Sequence, residues 1–181
     1  MDNVPPRLRS VSDIAKLIVA NRPDAVEESV ARAIRDVIAR KALVPSNYGG
    51  SGRTAAALFD EAAACRALII MELNRIGLSS DALIAARKCM NNIRGLEGDG
   101  YGPQEEPKSL RKDRLVSIIA YLRDGHARYF HLYLIPEYFG RPGNVLGGTF
   151  SEITDGRCPD DFATTITLQL LPLLGPLVQA S

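Results

Sequence analysis

The segment from Val30 to Asp60 restricts what this chain can fold into more than any other. Val30, Ile34, Val37 and Ile38 recur at helical spacing, so one face of a helix is apolar and Glu28, Ser29, Arg32, Arg35, Asp36 and Arg40 turn to solvent. The aliphatic stem of Lys41 extends the inward stripe. Leu43-Val44-Pro45 ends the helix, because proline lacks the amide that would continue it and disfavours helical backbone in the residue before it. A glycine-containing basic loop, Asn47-Tyr48-Gly49-Gly50-Ser51-Gly52-Arg53-Thr54, comes next, and Ala55 to Asp60 form an apolar, aromatic return.

The loop has several uses open to it. Its glycines allow close approach of the backbone to a ligand, and Arg53 supplies a positive charge, so a phosphate cradle, a DNA-contacting loop and a plain surface loop all fit. A Walker phosphate loop fails on spacing: five residues before Gly52 stands Asn47 where glycine is required, and Arg53 replaces the lysine.

The flanks are helical. Ser12-Asp13 offers a cap to a short helix through Ile14, Leu17 and Ile18, and Asn21-Arg22-Pro23 breaks it. The next helix starts between Asp24 and Ser29. Either Asp24 and Glu27 form a capping box, or the start lies near Glu27 and Val26 becomes a buried turn residue. Asp60 caps a third helix with Ala62, Cys65, Ile69, Leu73 and Ile76 inward, Leu68 and Met71 widening the stripe, and Gly77 ending it. A fourth helix from Leu78-Ser79-Ser80-Asp81 turns Leu83, Ala86, Met90 and Ile93 inward and ends at Gly95.

Residues 96 to 109 are rich in Gly, Pro and acidic side chains and read as a linker between a domain over 1 to 95 and a second over 110 to 181. Beyond it, Leu115 to Leu122 and Ala127 to Ile135 flank Asp124-Gly125, a type I′ turn signal, which predicts a hairpin pairing Leu122 with Ala127, Ala120 with Tyr129 and Ile118 with His131. A helix over Arg111 to Arg123 competes, since Leu115, Ile118, Ile119 and Leu122 also fit helical spacing. Val145 to Ile153 is a candidate strand, and Thr164, Ile166, Leu168 and Leu170 alternate with polar residues as a strand does. The apolar cluster from Leu171 to Val178 is expected to pack on the sheet or on a second subunit. The fold class expected is α+β: four helices and a wing-like loop, then a small antiparallel β-rich part.

Candidate chemistry is sparse. His126 and His131 fall on opposite faces of the expected hairpin, so a shared metal ion or paired acid-base role is not expected. Cys65, Cys89 and Cys158 are far apart and form no Cys-x-x-Cys, which points to free thiols rather than disulfides or zinc. Glu105-Glu106, Asp113 and Asp160-Asp161 sit in linker or turn contexts, not as a pair set by helix or strand geometry for catalysis. No enzyme activity and no cofactor is expected. The chain has no run of 18 apolar residues and no apolar leader at its first residues, so a cytoplasmic protein outside the membrane is expected. Charge is uneven: residues 1 to 95 carry 14 Lys/Arg against 10 Asp/Glu, and residues 96 to 181 carry 8 against 11. A basic first half suits phosphate contact.

Residues 12 to about 94 resemble the winged helix-turn-helix DNA-binding domain of MerR-type regulators and the related excisionase-like domains. The likeness is carried by Ser12-Asp13-Ile14-Ala15-Lys16, Val30 to Arg35, Ala42-Leu43-Val44-Pro45, Gly52-Arg53, Leu58 to Ala62 and Met71 to Leu78. It implies a recognition helix in the major groove of double-stranded DNA and a wing on the flanking backbone, in a dimeric transcriptional regulator. The DNA contacts expected on that basis are Ser29, Arg32, Arg35 and Arg40 on the helix, with Tyr48, Arg53 and Thr54 in the loop. The C-terminal half would form the homodimer or receive an effector or partner. An interaction module of anti-activator or antitoxin type, binding another protein through that half, is the alternative.

Overall fold

The structure, a computed structural model, describes residues 8–50, 55–91, 114–134, 145–151 and 164–178. It combines helices with two small antiparallel sheets, the mixed α+β class expected. The expected linker, residues 96–109, lies outside the described residues, as do Ile93, Gly95 and Cys158.

Strand β1 (Arg9–Ser10) leads directly into helix α1 (Val11–Ala20). The cap is Ser10 rather than Ser12-Asp13. The Ser10 hydroxyl accepts from the Asp13 amide at 3.2 Å while the Asp13 carboxylate accepts from the Ser10 amide at 2.8 Å, a reciprocal capping box. Asp13 thus closes the box from the third position of the helix and is not its cap.

Helix α2 (Glu27–Ala39) begins at the later of the two starts, with Val26 extended before it. Val26 is 64 % exposed, so it is not the buried turn residue that start was expected to create. Ala31, Ile34 and Val37 are buried and Val30, Ala33 and Ile38 partly so, which matches the expected stripe except at Lys41. That lysine lies past the helix end, is exposed and has φ of 60°. Ala42, Leu43 and Pro45 are buried instead and anchor the connection to the hairpin.

Strands β2 (Asn47–Gly49) and β3 (Ala56–Phe59) pair antiparallel, and β1 adds to the other edge of β3 with Arg9 opposite Phe59. A Cβ at Gly49 would sit 3.0 Å from Leu58 Cδ1, so the tip of that side chain would have to give way. Asp60 caps helix α3 (Glu61–Arg75) as expected, accepting from the Ala63 amide at 2.8 Å. Gly77, at φ of 92°, ends it.

Helix α3 is the centre of the molecule. Ala63, Ala64, Cys65, Ala67 and every residue from Leu68 to Met71 are buried, so it is covered on all sides rather than along one stripe. It packs against α1, β3, helix α4 (Ser80–Asn91), helix α5 (Arg114–Arg123) and helix α6 (Leu170–Val178). Ile76, expected inward, is exposed because the helix has ended before it.

Residues 114–123 form α5 and not the first strand of a hairpin. Leu115, Ile118, Ile119 and Leu122 are all buried, against α3, α4 and α6, and that continuous apolar stripe is what a helix satisfies and a strand would split between two faces. The Asp124-Gly125 pair ends the helix: Gly125 has φ of 78°, its amide donates to the Leu122 carbonyl at 3.1 Å, and the His126 amide donates to Tyr121 at 3.0 Å. Strand β4 (Tyr129–Leu134) pairs with β5 (Val145–Ser151) and β6 (Thr164–Gln169) on either side. Both later strands lie where expected.

The apolar C-terminal cluster is helix α6, despite Pro172 and Pro176. Pro172 occupies the first turn, where an amide has no partner within the helix, and only Pro176 removes an internal bond. Leu170, Leu174, Leu177 and Val178 are buried, and the Arg9 guanidinium donates to the Leu177 carbonyl at 3.3 Å. Buried residues from Ile14 through Val178 belong to one hydrophobic cluster. The segments on either side of 96–109 therefore share a core.

Candidate nucleic-acid interface

The outward face of α2 and its C-terminal cap carry the polar and charged residues that the sequence placed there. Ser29, Arg32, Arg35, Asp36 and Arg40 are all exposed. Arg32 approaches Glu28 one turn back at 3.8 Å, but the two side chains are 75 % and 84 % exposed. A pair so hydrated contributes a few tenths of a kcal/mol, so it leaves Arg32 available to another anion. Among the described residues, the side chains of Arg35 and Arg40 make neither an ion pair nor a hydrogen bond.

Charge is graded along the helix. Its first turn holds Glu27 and Glu28, favourable to the positive end of the helix dipole, and Glu27 also accepts from the Ser12 hydroxyl at 2.8 Å. The basic residues Arg32, Arg35, Arg40 and Lys41 follow, interrupted only by Asp36. An anionic partner is therefore repelled by the first turn and attracted by the middle and end of the helix. The gradient is already present in the order of residues along the sequence.

The β2–β3 hairpin stands next along the chain. Tyr48, opposite Ala57 in the ladder, is 53 % exposed and presents a ring and hydroxyl to solvent. The Asn47 side chain accepts from the Tyr48 amide at 2.8 Å, and the Ser46 hydroxyl accepts from the Asp60 amide at 2.9 Å, which fixes the hairpin's base to the start of α3. Gly50, directly after β2, has φ of 89°. Arg53 and Thr54 lie outside the described residues, so of the seven expected contacts Ser29, Arg32, Arg35, Arg40 and Tyr48 have described positions, all exposed.

The other titratable groups are dispersed. His131 is fully buried in β4 with its Nδ1 2.9 Å from the Thr167 hydroxyl, whereas His126 is exposed beyond α5, its ring edge-on to Tyr121. Among the described residues no three His, Cys, Asp or Glu side chains are grouped to hold a metal ion, and no helix is long and apolar enough to cross a membrane. Arg128, over the Tyr121 ring at 4.2 Å, is a buried cation that sequence reading did not single out. No family model, curated protein or solved structure matches this chain.

Proposed function

We propose that this protein binds double-stranded DNA as a sequence-specific regulator of transcription, with α1 and α2 acting as a helix-turn-helix and the β2–β3 hairpin as its wing. One observation carries the reading: Arg32 and Arg35 on the outward face of α2 and Arg40 at its C-terminal cap are all exposed, while the inward face is fixed to the core by Ala31, Ile34 and Val37. A helix anchored to the core with exposed guanidinium groups suits base-edge and phosphate contacts. The acidic first turn shifts the expected contact toward Arg32 and beyond, with Tyr48 and the loop at 51–54 on the flanking backbone. A single module of this size buries little surface on DNA, so the protein acts as a homodimer.

Selection of bound sequences from random duplex DNA, with a solution mass measurement, tests the proposal. A palindromic site and a dimer mass are expected, with affinity falling steeply between low and moderate salt and lost in Arg32→Ala/Arg35→Ala. No duplex binding at low salt by the wild-type protein would sink it.

A second reading has its own support. Val26, 64 % exposed, stands beside Glu27 and Glu28 at the start of α2. An apolar side chain next to acidic ones suits a protein partner better than DNA. On that reading the chain is an interaction module whose contact lies at the start of α2, not in the C-terminal half that the sequence alternative used, and Val26→Asp abolishes partner binding while duplex binding is absent throughout.

A further inference from the structure

Among the described residues, Lys41 is the one residue other than glycine with positive φ, at 60°. Its amide donates to the Ile38 carbonyl at 2.9 Å and the Ala42 amide donates to the Val37 carbonyl at 3.0 Å. That pair of bonds closes a helix through a left-handed residue. Helices α3 and α5 end with the same two bonds, and there the left-handed residue is glycine, Gly77 at 92° and Gly125 at 78°. Among the described residues this position is thus glycine twice and lysine once. A side chain in that conformation crowds its Cβ against the backbone, which is why glycine is the usual choice and why a long side chain is rare.

Packing does not call for the lysine. Its side chain is exposed and, among the described residues, makes no ion pair or hydrogen bond. Its position is more telling. Arg40 at the C-terminal cap of α2 precedes it, the buried Ala42 and Leu43 follow and hold the backbone, and the connection then enters β2. The ammonium is therefore presented from an anchored backbone at the junction of helix and hairpin.

We infer that Lys41 is a phosphate-binding residue of the DNA interface, held in a left-handed conformation that glycine would adopt with less strain, so that a charge stands between the arginine face of α2 and the hairpin. The inference rests on the DNA-binding reading and adds to it a residue whose contact is independent of sequence. An ammonium on a flexible stem is a point charge, suited to phosphate oxygens rather than to the paired acceptors of a base edge. The competing explanation is that a cation at a helix C-terminus steadies the helix dipole, in which case the lysine serves the fold.

Lys41→Gly and Lys41→Arg separate the two, measured beside the wild-type protein by thermal melting and by fluorescence anisotropy on duplex DNA from 50 to about 200 mM salt. Lys41→Gly is expected to melt about 1–4 °C higher through relief of backbone strain. It should bind roughly fivefold more weakly near 0.15 M salt and lower the slope of log affinity against log salt by about 0.9, one phosphate contact, on every duplex tested. Lys41→Arg should keep the wild-type slope. Wild-type affinity and slope in Lys41→Gly overturn the assignment of Lys41 alone, as does a lower melting temperature, which would mean that the fold needs the lysine. A wild-type protein that binds no duplex overturns the DNA-binding reading and this inference with it.

Discussion

Arg22, in the connection between α1 and α2, forms an ion pair with one carboxylate oxygen of Glu72 on α3, while the other oxygen accepts from Arg75 at 2.6 and 3.0 Å. Glu72 is largely covered, its side chain 16 % exposed, and burial pushes the Arg22 guanidinium below its ordinary pKa, with neighbouring Arg75 adding to the effect and Asp24 opposing it. This carboxylate fastens the turn that aims α2 to the central helix. Glu72→Ala would leave Arg22 partly buried without its counter-charge. A loss of about 1–3 kcal/mol is expected in urea denaturation, because an unpaired, partly covered ion costs more than the pair contributes. Arg75→Ala, which removes the more exposed partner, should lose less than about 1 kcal/mol.

The shared core makes a second expectation. Leu122 on α5 and Leu174 on α6 are fully buried in the same cluster as Ile14 and Ile34. Leu122→Ala and Leu174→Ala should each lose about 2–5 kcal/mol, the cost of the removed contacts and the cavity left behind. If the two segments unfold as one, secondary structure and tyrosine fluorescence follow a single transition in both variants. A fragment ending at residue 95 would uncover the sides of α3 that α5 and α6 cover. It should bind a hydrophobic dye that the full chain does not; a fragment as stable as the whole and silent toward the dye would contradict this.

Much of the first half was legible because local signals and tertiary packing agree there. The α2 stripe, the Asp60 cap and the Gly77 stop each follow from side chains within one turn of the feature they define. Misreadings arise where one local signal serves two structures. Asp124-Gly125 supplies a positive φ, which a type I′ turn and a helix C-terminus both need, and only the distant surfaces of α3, α4 and α6 decide that residues 115–122 bury one helical face. Helix α6 was hidden by its prolines for the same reason, since nothing local shows that a helix with a missing bond gains more by covering α3. The exposed arginines of α2 were readable from periodicity. The left-handed backbone of Lys41 was not, because it depends on Ala42 and Leu43 being drawn into the core after the helix ends.

Gly77 and Gly125 allow a clean measure of backbone cost. Both have positive φ, and a Cβ built on either meets nothing within 4 Å. Gly77→Ala and Gly125→Ala should therefore each lose about 1 kcal/mol from conformation alone, without a clash. Asparagine, which tolerates this region better, should lose less at both sites. Chemical denaturation of the four variants checks the order, and equal losses for alanine and asparagine would assign the cost to something other than φ.

Cys65 sets an alkaline limit on the fold. Its thiol is fully buried on α3, and burial pushes its pKa from 9.0 up to about 12, with nearby Glu61 adding to the rise and Arg66, Arg9 and Arg123 opposing it. The folded protein holds this proton where the unfolded chain has released it. The contribution to stability is therefore complete below about pH 9, and it is lost as pH rises from there toward 12. At its steepest the loss is about 1.4 kcal/mol per pH unit. Urea denaturation of the wild-type protein and Cys65→Ala at pH 8, 9 and about 10, under reducing conditions, isolates this group from lysines and tyrosines that titrate in both. The advantage of the wild type over the variant should hold between the first two pH values and narrow above them. In the native state at pH 8, Cys65 should also resist a thiol reagent until the protein unfolds, whereas the half-buried Cys89, raised less far from its ordinary range, reacts earlier. Parallel pH profiles for the two proteins, or prompt labelling of native Cys65, would show that α3 opens to solvent at that turn.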